Sequence, residues 1–175
     1  ACFARPSESL VSRLVAEQLE DGGGSCSAPK STRSSFHTTI CVLEGLLEYE
    51  GAVGPTPATA AARRRGEEFL LVRGLFKRLS TGEVASPKFL EFAFPPRYEY
   101  DVLRALDYLR AAGALPSARI QEAVGHLESR RLLDGRWLLD RCHNEALTFP
   151  FPELVGQPSR WNTLRAMRVL AVLAL

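Results

Sequence analysis

No stretch of this sequence approaches the roughly 20 apolar residues of a membrane-spanning helix, and its first residues lack the charged-then-apolar pattern of a secretory signal, so neither a membrane span nor export is expected. Charge of one sign is also missing. The 22 lysines and arginines stand against 20 acids for a formal charge of +2, and the basic runs are short. That excludes the one-sided basic footprint of a nucleic-acid binder. Cys2, Cys26, Cys41 and Cys142 form no CxxC pair, in a chain too large to need disulfide staples, which points to reduced thiols and a cytoplasmic protein. No glycine-rich phosphate loop follows a strand, because Gly22 to Gly24 end a helical pattern and lack the Lys-Ser/Thr of a P-loop. Strand-like alternation is scarce.

What remains is helical spacing in segment after segment. Ser7 or Ser9 can cap a first helix carrying Leu10, Leu14, Val15 and Leu19, stopped by the glycine run 22 to 24. Ser34 or Ser35 can cap a second, with Phe36, Ile40, Leu43, Leu46 and Leu47 on one face and Gly51 as its end. Pro57 suits the first turn of a third, whose apolar set runs from Phe69 through Leu79, with Arg63 to Arg65 on its polar side. A fourth carries Val102, Leu103, Leu106 and Leu109 up to Gly113. A fifth opens at Pro116 and Ser117 and runs toward Leu132, residues 138 to 160 read as a loop, and Trp161 begins a sixth.

The even-numbered helices open alike: FHTTICVLEGL at Phe36, YDVLRALDYL at Tyr100 and WNTLRAMRVL at Trp161, intervals of 64 and 61 residues. The odd ones share an Asp-Gly ending, QLEDGGG from Gln18 and RLLDGRW from Arg131. This spacing predicts an all-α chain of three αα-hairpin repeats, about residues 7–50, 57–112 and 116–175, each burying its face against its neighbours.

Gln18-x-x-Asp21-Gly22-Gly23 and Asp134-Gly135-Arg136-Trp137 resemble the QW repeat of the squalene and terpene cyclases. The helix openings are similar to inner-helix starts of uncharacterised bacterial members of the wider superfamily, which includes the protein prenyltransferase β subunits. The resemblance implies part of an α/α toroid, with inner helices around a central mouth and outer helices around them. A toroid needs more than three hairpins, so it also implies a piece of a longer chain or closure by self-association. Each motif copy departs from the pattern: Gly24 stands where the first would have Trp, and Arg131 where the second would have Gln. The Asp-x-Asp-Asp and Asp-Asp-x-x-Asp runs that carry cyclase and diphosphate chemistry are missing.

The resemblance implies an apolar, isoprenoid-like substrate bound or cyclised where the even helices begin, since those starts present open amides and a positive dipole end. Asp101 is the candidate acid there, its carboxyl raised by apolar surroundings, or else a plain helix cap. His37 is a second candidate catalytic residue. Phe36, Thr38, Tyr98, Tyr100, Trp161 and Asn162 are the candidate substrate contacts, with the aromatics able to face a carbocation or simply to fill a core. His37 and Cys41 lie four apart, one face of a helix, so with Asp101 or the loop pair Cys142-His143 they are candidate zinc ligands. The rival from another class is a non-catalytic helical-repeat scaffold for a protein partner.

Overall fold

The computed structural model describes residues 7–28, 30–115, 117–142 and 151–174. Among these lie six α-helices: α1 (Glu8–Ala16), α2 (Phe36–Val53), α3 (Pro57–Leu71), α4 (Val102–Ala111), α5 (Gln121–Ser129) and α6 (Arg160–Leu173). Two 3-10 turns, Pro87–Leu90 and Ala118–Ile120, complete the helical content. The described chain is therefore mainly helical, and none of its helices is long and apolar enough to cross a membrane. It forms two compact units, Ala1–Leu70 and Leu71–Leu175, whose boundary falls at the end of α3 and so inside the second expected hairpin.

In the first unit, the Ser7 side chain accepts the Leu10 N–H at 3.3 Å and so starts α1. The helix stops at Ala16, earlier than the glycine run suggests. Its ladder fails because the Leu19 N–H turns to Gly23 O (3.0 Å) and the Gln18 N–H to Val15 O (3.4 Å). Conversely, α2 runs past Gly51 to Val53 and closes at Gly54, φ 89°. A glycine inside a helix costs only about 1 kcal/mol against alanine, too little to end one that is otherwise well packed. Ile40, Leu43 and Leu46 are its buried apolar face. Gly66 lets α3 approach that face closely, since a Cβ there would lie 2.8 Å from Leu43 Cδ2. Thr56 and Thr59 exchange side-chain-to-amide hydrogen bonds of 3.1 Å at the start of α3. Arg63, expected on the polar side, is half-buried and bonds Glu50 on α2 and Glu67 on α3, both at 2.7 Å.

In the second unit the chain leaves α3 at Leu71, whereas the apolar spacing continued to Leu79. Gly74 (φ 52°) and Leu75 (φ 70°) take left-handed conformations that turn it away. The Leu75 side chain is wholly buried, and that packing holds a non-glycine residue in a conformation it otherwise avoids. Seven residues of α4 are buried, from Val102 to Leu109, which marks it as the central helix of this unit. It packs along α6 and against α5, and Gly113 (φ 69°) follows its end as expected. The α5 helix ends at Ser129, short of Leu132, because the chain already enters its Asp-Gly turn there. At the two ends of the expected loop a short antiparallel pair forms, β1 (Trp137–Leu138) with β2 (Pro158–Ser159), registered Trp137 to Ser159.

Candidate functional site

The two Asp-Gly motifs build corners with the same hydrogen bonds. In the first, Gly22 N–H donates to Leu19 O (2.9 Å), Leu19 N–H to Gly23 O (3.0 Å) and Gly23 N–H to Asp21 Oδ1 (3.2 Å). In the second, Gly135 N–H donates to Leu132 O (2.9 Å), Leu132 N–H to Arg136 O (2.8 Å) and Arg136 N–H to Asp134 Oδ1 (3.0 Å). Gly22 and Gly135 both need positive φ, 87° and 84°. The next residue then bridges to the residue capping the following helix, Gly24 to Ser35 and Trp137 to Ser159. A threonine four positions beyond each cap accepts the bridging amide: Gly24 N–H to Thr39 Oγ1 at 3.0 Å, Trp137 N–H to Thr163 Oγ1 at 3.1 Å.

The starts of α4 and α6 meet over one short backbone stretch, Phe92 to Ala93. Asp101 caps α4, its Oδ1 accepting the Arg104 N–H (2.7 Å) and its Oδ2 the Ala93 N–H (3.2 Å). Asn162, on α6, donates through Nδ2 to Phe92 O (3.1 Å) and Leu138 O (3.0 Å). Arg165 Nη1 reaches Ala93 O at 3.3 Å, and Asp140 Oδ2 accepts the Phe92 N–H at 2.7 Å. A carboxylate thus meets amides and the Asn162 Nδ2 meets carbonyls, which offsets their desolvation cost, while Asn162 Oδ1 is a buried atom without a hydrogen-bond partner. Burial pushes the Asp101 carboxyl above the usual range, opposed first by the Arg165 guanidinium, then by the Arg104 and Ala93 N–H groups and by Arg141. Asp101 has no exposed surface.

Tyr100 is equally enclosed. Its hydroxyl donates to Leu75 O, its ring meets Phe89 edge-on at 4.9 Å, and burial followed by the Asp101 charge raises its pKa. It is a core residue here. Trp161 differs: it stacks flat on Phe94, centroids 5.1 Å apart and planes at 3°, and Phe94 in turn meets Phe151 at 5.6 Å. Arg160 lies over the Trp161 ring at 5.6 Å, and Trp161 remains 38% exposed. Tyr98 is 51% exposed. Glu153 accepts from the Ser159 hydroxyl (2.6 Å) and the Arg160 N–H (3.1 Å), an acid placed at the positive end of α6.

The other candidates belong to the first unit. Phe36 meets Phe69 edge-on at 5.4 Å. His37, Thr38 and Cys41 are half-buried on the first turns of α2, and Thr38 Oγ1 is a buried atom without a hydrogen-bond partner. Among the described residues no group of three His, Cys, Asp or Glu gathers to hold a metal. His143 lies outside the described residues. Measured from the caps Ser35, Asp101 and Ser159, the three opening aromatics stand one after, one before and two after, so Phe36, Tyr100 and Trp161 do not occupy one geometric position.

The sequence reading missed the buried arginines. Arg104 bonds the Arg97 and Glu99 carbonyls (2.6 and 2.8 Å) and Arg165 bonds Ala93 O. The signal was present in the Leu-Arg-Ala triplet common to both helices, each arginine two residues before a large apolar side chain. No protein-family model, curated protein or solved structure matches this chain.

Proposed function

We propose that the chain is a helical-repeat binding unit of the α/α-toroid kind, which holds an apolar, isoprenoid-like molecule against the aromatic ledge at the start of α6. The observation that carries this reading is the flat, exposed Trp161 ring backed by Phe94 and Phe151. Such a surface takes a branched hydrocarbon chain through area removed from water, about 25 cal/mol per Å². Matching hydrogen bonds in the two Asp-Gly corners support the repeat. Asp101 is assigned to structure: it closes α4 and fixes Phe92 to Ala93, and with no exposed surface it is not assigned proton transfer.

Titration with farnesol, followed by tryptophan emission, tests this. Trp137 is wholly buried and Trp161 exposed, so a saturable change that disappears in Trp161→Ala supports the ledge. Unchanged emission up to the solubility limit of farnesol refutes it. A second reading, a scaffold for a protein partner, is favoured by Leu164 and Met167, 40% and 56% exposed on α6.

A further inference from the structure

The first corner contains a recess of about 50 Å³ between α1, the glycine run, α2 and α3, bordered by Leu14, Gln18, Gly24, Thr38, Val42 and Ala62 among others. That is several times what one water needs but only about a third of the roughly 150 Å³ of an enclosed cavity that takes benzene, and its walls are mainly apolar. The second corner shows what such a place accommodates. There the residue corresponding to Gly24 is Trp137, wholly buried, with its indole Nε1–H donating to Leu127 O at 2.7 Å and Arg131 over its ring at 5.6 Å. The correspondence is residue by residue. Helices α1 and α5 have equal lengths, nine residues each, the corner hydrogen bonds match, and Leu14, Gln18 and Thr39 stand where Leu127, Arg131 and Thr163 stand around the tryptophan. Thr38 Oγ1 adds a buried polar atom with no hydrogen-bond partner on the α2 side. Val42 stands where Ala166 stands on α6, so the first slot is the narrower of the two.

We propose that this recess binds a small planar heteroaromatic molecule smaller than indole, a single five-membered ring of the pyrrole kind, which presents its N–H to Thr38 Oγ1. A slot lined by apolar groups and left by a missing ring regains, on taking up such a molecule, the contacts that the ring would have made. Because the site lies within the first unit, it stands or falls separately from the ledge of the second.

The test is an amide NMR titration of the whole chain with pyrrole. Saturable shifts confined to Gly22 to Gly24, Thr38 and Thr39 are expected. Gly24→Trp, which fills the slot from within, weakens binding by about tenfold or more, that is by about 1.4 kcal/mol. The φ of Gly24 is not left-handed, and a Cβ there meets only Thr38 Cγ2 at 3.4 Å and Val42 Cγ2 at 3.8 Å. Val42→Phe, which narrows the recess from α2, is the second variant and produces the same loss. Absence of saturable shifts at those amides overturns the proposal, as does binding that survives in both variants.

Discussion

The two Asp-Gly corners share their backbone and differ in what fills them. Both use an aspartate that accepts an amide two residues on, a left-handed glycine, a bridge to the next helix and a threonine that receives the bridging N–H. One then buries an indole at the bridge position, and the other has a glycine there beside a recess. The difference teaches that the turn is specified by hydrogen bonds close to the chain, while the side chain at its end is a separate choice. A corner of this kind therefore forms with or without a tryptophan at its bridge position.

The largest effect that sharpens this comparison is Trp137→Gly, which turns the filled corner into the vacated one. Losing a wholly buried indole costs about 3–5 kcal/mol, read as a lowered denaturant midpoint at unchanged slope. Next come the turn glycines. Both Gly22→Ala and Gly135→Ala force a side chain into positive φ, about 1 kcal/mol. Gly22→Ala costs visibly more, because its Cβ would fall 2.4 Å from Arg65 O, while at Gly135 the nearest atom is the flexible Arg131 tip at 3.4 Å. Equal losses in chemical denaturation would break the reading of Gly22 as the more constrained corner.

Thr39→Val and Thr163→Val each strand one bridging amide and should cost about 1–2 kcal/mol apiece, with similar values for the pair. The smallest effect is one of titration. Carboxyl carbon NMR should place Asp101 above its ordinary pKa of 3.8 because of burial, and Asp134 below it because Arg136 bonds it. The signs follow. Folding takes up a proton at Asp101 as pH falls through its folded pKa, so that group's contribution to stability rises on acidification. Asp134 contributes above its unfolded pKa, and its contribution fades as pH falls through the folded value.

Local rules were legible in the sequence. Ser7, Pro57 and Asp101 open their helices as their residue types suggest. Helix ends were less so, because Ala16 and Leu71 stop where hydrogen bonds or left-handed turns divert the chain, without a breaker at the spot. The candidate site was legible only as a set of residue types. Burial separated Tyr100 and Asp101 from the exposed Trp161, and no periodicity distinguishes an aromatic that fills a core from one that forms a ledge.

The measurement that bears most directly on the equivalence of the corners is thermal unfolding of Gly24→Trp with its tryptophan emission recorded. A blue, buried emission from the added indole and a melting midpoint raised by about 3–6 °C are expected, since about 1.5 kcal/mol of apolar burial is gained in a chain of this size. A lowered midpoint together with red, water-exposed emission would contradict the equivalence, because the recess would then not be equivalent to the place that Trp137 fills in the second corner.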